Sequence, residues 1–229
     1  MDLSKTNIVK ILSIPKSLYV CLRLLPMRQA IRLPLLVRYN TALKRLSGRV
    51  DIDDKYARHR TVQIGFEENG LFDGKTDRCV LDIAGTLRID GTAILGKGTR
   101  ISINKDGVLC FGNNFYNSAK IEIVCFKYIR FGENCVTSWD TLIMDSDLHT
   151  TRNTLTDIIN ECDRIVEIGD NVWISARVTV LKGCRIANGC IIGANSLVMG
   201  TFNMENTLIA GVPASVKKNN ITLNTVREA

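Results

Sequence analysis

Residues 165–199 read IVEIGDNVWISARVTVLKGCRIANGCIIGANSLVM. Aliphatic side chains recur there at every sixth position, as Ile168, Ile174, Val180, Ile186, Ile192 and Val198. A second series, four residues after members of the first, runs Val172, Val178, Cys184, Cys190 and Ser196 and is medium to small throughout. A period of six fits neither the helical 3.6 nor simple strand alternation; it is the period of a hexapeptide β-helix.

Three hexapeptides make one triangular coil of about eighteen residues, and coils stack at the strand spacing of ~4.8 Å. The large aliphatic of each hexapeptide points inward, and the smaller residue four on fits near a corner. Gly169, Asn171, Gly183, Asn188, Gly189, Gly193 and Asn195 are predicted to serve the turns, where positive φ is needed. Each buried Ile or Val contributes ~1.5–3 kcal/mol, so the stack supplies its own core. The expectation is an all-β chain whose parallel β-helix occupies residues 80–210.

Outward from this stretch, the beat runs through Ile83, Ile89, Leu95 and Ile101, slips around residues 104–108, and returns at Phe111 and Phe131. The runs FGNNFY and FGENCV echo IGDNVW at Ile168, so the same corner is expected three times, with bulges or small insertions between. The longest break is residues 144–164, MDSDLHTTRNTLTDIINECDR, with His149 near its start. An excursion of that size in a regular solenoid is either functional or a surface insertion. Residues 48–79 read as a transitional segment, with His59 as an exposed linker residue, and residues 211–229 as a polar tail.

The net charge of +7 is unevenly spread: residues 1–50 carry ten Lys or Arg against Asp2 alone. The basicity belongs to the leader, so a nucleic-acid role for the solenoid gains no support. Residues 1–47 are basic, apolar and punctuated by Pro15, Pro26 and Pro34, which predicts short helices. Charges break every apolar run well below the ~20 residues a bilayer span needs. Two readings stand side by side: helices that cap the first coil, and an interfacial anchor giving peripheral membrane contact. The eight cysteines form no CxxC pair and read as reduced core residues of a cytoplasmic protein. With His59 and His149 the only histidines, a three-histidine metal site is not expected, and no metal is assigned.

The runs DSDLH (145–149), EIGDNVWI (167–174), VLKGC (180–184) and AGVPASVKK (210–218) resemble the hexapeptide-repeat acyltransferases, specifically the galactoside, maltose and polysaccharide O-acetyltransferase branch. The leader, with IRLPLLVRYN (31–40), is similar to that of enzymes acetylating capsule or lipopolysaccharide sugars. The resemblance implies a left-handed β-helix, a homotrimer with sites between neighbouring prisms, acetyl-CoA as acyl donor and a carbohydrate acceptor. It implies that His149 accepts the proton of the acceptor hydroxyl, a task that calls for a base with pKa near seven. Asp147 or Asp145 would orient the imidazole or remain a solvated acid, and Trp173 would wall the acceptor site or pack the trimer. Ala176 falls where a backbone N–H holds the acetyl carbonyl, Gly193 and Ala194 where the pantetheine arm runs, and Lys217 and Lys218 where the nucleotide phosphates are met. Asp145, Asn117 and Trp139 are assigned to the acceptor side. Ser175 departs from the glycine common at that position, and Asn117 and Lys120 compete for the acceptor-side asparagine.

The leading expectation is direct acetyl transfer to a sugar hydroxyl of a surface polysaccharide or its precursor, in the cytoplasm, at the inner face of the membrane if the leader anchors it. N-acetylation of an amino or nucleotide sugar is the alternative enzyme, and a non-catalytic scaffold subunit the alternative class.

Overall fold

Ile168 lies in register between Phe131 in the coil before it and Ile186 in the coil after it. Ile174 likewise lies beside Ile192, and Val180 beside Val198. The steps from Ile168 to Ile186, Ile174 to Ile192 and Val180 to Val198 are each eighteen residues, so three hexapeptides do make one coil, and the step from Phe131 to Ile168 is longer by the excursion at 144–164. The computed structural model describes residues 5–67 and 69–224. The first four residues of the leader and the last five of the tail lie outside the described residues.

The chain begins with α1 (Lys5–Leu12), α2 (Ile14–Leu24) and α3 (Met27–Ala30), and then winds. The first coil is β1 (Leu35–Val37), β2 (Ala42–Leu46) and β3 (Arg49–Ile52); the second is β4 (Val62–Ile64), β5 (Val80–Ile83) and β6 (Thr86–Ile89). The third is β7 (Ala93–Lys97), β8 (Arg100–Ile103) and β9 (Val108–Phe111); the fourth is β10 (Phe115–Ala119), β11 (Ile121–Cys125) and β12 (Tyr128–Phe131). The fifth coil has β13 (Val136–Thr137) and β14 (Thr141–Met144), then a side hairpin of β15 (Thr151–Arg152) and β16 (Ile159–Asn160), then β17 (Val166–Ile168). The sixth is β18 (Trp173–Ile174), β19 (Thr179–Val180) and β20 (Arg185–Ile186); the seventh is β21 (Ile191–Ile192), β22 (Leu197–Val198) and β23 (Thr201–Phe202). The antiparallel pair β24 (Leu208–Gly211) and β25 (Ala214–Lys218) ends the stack.

The first strand of every coil pairs with its equivalents in one parallel sheet, the second strands in another and the third strands in a third. The result is a left-handed parallel β-helix, an exception to the right-handed crossover rule.

The inward positions are those of the six-residue series. Ile168, Ile174, Val180, Ile186, Ile192 and Val198 are buried, as are Val172, Val178, Cys184, Cys190 and Ser196. Phe111, Phe115 and Phe131 fill the prism between the third and fourth coils, with ring centroids 4.3–5.3 Å apart. Of the seven residues expected at positive φ, Asn171, Gly183, Gly189 and Asn195 adopt it. Gly169 is there for space instead, since a Cβ would sit 2.8 Å from the backbone nitrogen of Asn188 in the next coil.

The prism starts at Leu35, inside the segment read from the sequence as helical leader, and runs through the segment read as transitional. Two features hide these coils from a six-residue beat. A bulge shifts β2 against β5 between Leu43 and Leu46, and residues 65–79 form a loop between β4 and β5. The slip at 104–108 is a smaller insertion, closed by the Gly107 N–H donating to Asn104 O at 2.9 Å.

The helices close the first coil. α2 touches β1, β2 and β3, and its Val20, Cys21 and Leu24 join the core cluster that includes Leu35, Val37, Leu46 and Val50. Buried Ser17 fixes the register, its hydroxyl receiving the Val37 N–H at 2.9 Å. Capping is therefore a property of the fold.

Candidate active site

The excursion that holds His149 leaves the prism between the second and third sheets, after β14, and returns to β17. Its neck is stitched on both sides. The Arg164 N–H donates to Asp145 O at 2.8 Å, the Asp147 N–H to Cys162 O at 3.1 Å, and Ser146 forms a bridge with Asp163. Beyond the neck, β15 and β16 pair antiparallel, which gives the excursion an ordered hairpin. Leu148, Leu155, Ile158 and Ile159 are exposed along it, Leu155 at 94%.

Asp145 is not free to meet a substrate. It is fully buried, and its carboxylate accepts the backbone N–H groups of Phe126, Lys127 and Tyr128 at 2.7–2.8 Å. Those groups form the corresponding corner one coil earlier, so Asp145 moors the base of the excursion to the prism. The Cys125 Sγ donates to the same carboxylate at 3.7 Å. Burial, reinforced by that carboxylate, pushes the Cys125 thiol well above its ordinary range. Asn117 is also withdrawn into the fold: it is fully buried, donates to Thr137 Oγ1 and Ser138 O, and receives the Gly96 N–H. Both were assigned to acceptor contacts from the sequence. Burial and complete hydrogen bonding instead give them posts in the scaffold.

His149 is exposed and, among the described residues, makes no hydrogen bond. Asp147, two residues before it, pairs with a different group: its Oδ2 lies 2.6 Å from Lys182 Nζ. Lys182 is only 11% exposed through its side chain and also donates to Glu161 O, so one ammonium joins the outgoing and returning legs of the neck. Sequence reasoning passed over Lys182. It stands in the regular repeat VLKGC, where a lysine reads as an ordinary outward residue.

A second group of candidate residues lines the corner between the first and second sheets. The Arg177 N–H donates to Trp139 O and the Asn195 N–H to Ala176 O, so Trp139, Ala176 and Ala194 succeed one another coil by coil at ~4.8 Å per step. Trp173 is half-buried just before this corner, and its indole N–H donates to Ser138 Oγ at 3.3 Å. Ser175 is nearly buried and its N–H donates to Ile192 O, so a side chain is accommodated there in place of glycine. Among the described residues the Ala176 N–H has no acceptor. Gly193 is half-buried, and a Cβ on it would approach Ala210 Cβ to 2.8 Å; Ala194 is exposed. Lys217 and Lys218 are exposed on β25, with Lys218 opposite Leu208 on β24 and the Lys217 ammonium folded back beside Gly211.

The two groups stand at opposite edges of the second sheet. Between them lies β14, whose four residues span about 13 Å at ~3.3 Å per residue. His149 and the Trp139–Ala176–Ala194 column thus belong to neighbouring levels of the prism but to different corners. His59, the other histidine, lies between the first and second coils, several coils away.

These features define a hexapeptide-repeat transferase. The family profile "Bacterial transferase hexapeptide (six repeats)" matches residues 165–200. WbbJ of Escherichia coli K12, named for O-acetyl transfer in lipopolysaccharide biosynthesis, is 31% identical over 148 residues, covering 61% of this chain and 75% of that protein. An uncharacterized 24.8 kDa protein in the cps region of Klebsiella pneumoniae is 31% identical over 144 residues, covering 63% of each chain. The solved structure of the polySia specific acetyltransferase NeuO shares the fold, with a TM-score of 0.52 and 18% identity over 80% of this chain and 71% of that one. The chain belongs to the hexapeptide-repeat acyltransferase family, in its O-acetyltransferase branch.

Proposed function

We propose that the protein is an acetyl-CoA-dependent O-acetyltransferase that modifies a sugar hydroxyl of a surface polysaccharide or its precursor. The observation that carries this reading is an exposed imidazole on the longest excursion of the prism, in a chain 31% identical to WbbJ over 148 residues.

His149 takes the proton of the acceptor hydroxyl as its oxygen attacks the thioester carbonyl. The Ala176 N–H stabilises the developing oxyanion, a contribution commonly worth ~3 kcal/mol. Collapse of the tetrahedral species expels the coenzyme A thiolate, which recovers the proton from the imidazolium. Asp147, held by Lys182, anchors the chain two residues before the imidazole. Gly193 and Ala194 offer the bare corner along which a pantetheine arm can run, Lys217 and Lys218 meet the nucleotide phosphates, and the half-buried Trp173 and Trp139 wall the acceptor.

His149 and Ala176 stand at opposite edges of one sheet, so the reaction is assigned to the groove between two copies, each supplying one edge. Homotrimerisation meets that need, and the exposed apolar residues of the excursion, Leu155 foremost, are suited to rest on a neighbour. The thiol-rich, disulfide-free chain and its acyl donor fit a cytoplasmic location.

Replacing His149 by Ala is expected to lower turnover on a hydroxyl acceptor at least ~100-fold while leaving donor affinity intact. Coenzyme A at a hundred times its Kd should stabilise the protein by ~2.7 kcal/mol. Undiminished turnover in the variant would refute the assignment, and transfer to an amino sugar but not to its hydroxyl counterpart would move the reading to N-acetylation.

A further inference from the structure

The helical cap has two apolar faces, and the prism uses one. The inner face of α2 presents Ser17, Val20, Cys21 and Leu24 to the first coil. Its opposite face carries Ile14, Leu18, Tyr19 and Leu22, between 37% and 52% exposed, at the i, i+4, i+5, i+8 spacing of one helical stripe. α1 continues the stripe with Ile8, Ile11 and Leu12, exposed at 46–58%. Ser13, which joins the helices, keeps a right-handed helical backbone, so the two form nearly one rod. Because α2 lies across β1, β2 and β3, this stripe faces away from the end of the prism.

The charge around the stripe has one sign. Residues 5–50 contain ten Lys or Arg and no Asp or Glu. Arg23, on α2, and Arg32, just after α3 and near enough to Asp54 to act on its charge, are exposed, and Lys16 is spent on Thr41 O. The carboxylates near the cap come from the first coil and the turn after it. Asp54 lies 3.9 Å from Arg28 and accepts from Gln29, while Asp51 and Asp53 line a groove with Arg23 on the prism side of the helices. A second copy docked through the same stripe would set arginines against arginines. A surface of lipid phosphates meets both the apolar stripe and its basic rim. Among the described residues no helix is long and apolar enough to cross a membrane, which leaves the rod lying in the interface.

We propose that the outer face of α1 and α2 docks this protein on an anionic lipid surface while the inner face of α2 closes the prism. The inference needs neither His149 nor the acyl donor, and its test reads lipid binding rather than turnover.

The test is flotation of the full-length protein with vesicles of phosphatidylcholine alone and of phosphatidylcholine with about 30 mol% phosphatidylglycerol. Binding is expected to the anionic vesicles, at least ~10-fold stronger than to the neutral ones, and to weaken between about 0.1 and about 0.5 M NaCl. The combined variant Ile11→Gln, Leu18→Gln, Leu22→Gln changes only solvent-facing positions and is expected to lose binding at least ~10-fold with an unchanged melting temperature. Arg23→Gln with Arg32→Gln should reduce the preference for anionic vesicles and spare the fold by the same criterion. No binding by the wild-type chain, equal binding to both vesicle types, or undiminished binding by the triple variant overturns the proposal. A drop in oligomeric mass of the triple variant by light scattering also overturns it, by assigning the stripe to contacts between copies.

Discussion

Lys182 Nζ lies 2.6 Å from Asp147 Oδ2 and also donates to Glu161 O, so a single side chain of the sixth coil holds both legs of the excursion above it. The half-exposed carboxylate limits what the ion pair alone contributes, to ~0.5–1 kcal/mol. Its larger effect is positional, because His149 is two residues from Asp147. Lys182→Met is expected to lower stability by about 1 kcal/mol and to speed proteolysis within residues 150–158. Turnover should fall several-fold with donor affinity unchanged. A Lys182→Met enzyme with wild-type turnover and wild-type cleavage rate would show that the neck holds without this lysine.

Asp145 gives a second, sharper test because two readings of it diverge. Its oxygens accept three backbone N–H groups from residues 126–128, and the side chain is fully buried. Asp145→Asn replaces one acceptor oxygen by an amide that donates, so at least one N–H of that corner loses its partner. Losing a charge-assisted bond and leaving a buried donor unmet costs ~2–3 kcal/mol. Denaturant titration should show that loss at an unchanged m-value. An acceptor-binding Asp145 would instead raise the acceptor KM and leave stability alone.

These two residues mark where sequence reading stops. The core was legible from Ile168 to Val198 because that stretch is free of insertions, so its beat survives intact. The first coil and the opening strand of the second were not, because β1 is an unbroken buried run of Leu35, Leu36 and Val37, which lacks alternation, and the loop 65–79 parts Ile64 from Leu81. His149 stood out because its loop breaks the pattern. Asp145 shares that loop, yet its partners lie about one coil earlier in the chain, a relation no local spacing displays. Lys182 hides for the opposite reason, being in perfect phase with its repeat. The double-sided helix α2 was readable as amphiphilic and basic, but only the packing of Val20, Cys21 and Leu24 shows which face is spent.

The aromatic layer offers a direct test of how tightly the prism is packed. Phe111, Phe115 and Phe131 are buried together, the Phe111 and Phe115 rings 4.3 Å apart and Phe115 and Phe131 4.9 Å apart in an edge-on arrangement. Phe131→Ala leaves a cavity that a solenoid cannot collapse without shifting strands in three sheets, so a loss of ~3–5 kcal/mol is expected. Phe131→Leu, which keeps most of the volume, should cost ~1–2 kcal/mol. Equal melting temperatures for the two variants would mean that the layer relaxes freely.

The buried thiols predict a loss of stability at alkaline pH. Burial pushes Cys21 and Cys79 up to about 11 and Cys135 and Cys184 up to about 12, from an ordinary value of 9.0. Burial, with Glu67 nearby, likewise pushes Tyr116 up to about 12 from 10.0. In each case the folded state binds the proton more tightly than the unfolded chain. The stability this represents is fully present below the unfolded value and is lost as pH rises through the folded one. With reductant present, these groups should leave the melting temperature flat between about pH 7 and 8 and drive it down steadily above about pH 9. The double variant Cys135→Ala, Cys184→Ala should start lower and fall less steeply across that window, because two groups that gain charge on unfolding are gone. An equally steep fall in the double variant would assign the alkaline loss to groups other than these thiols.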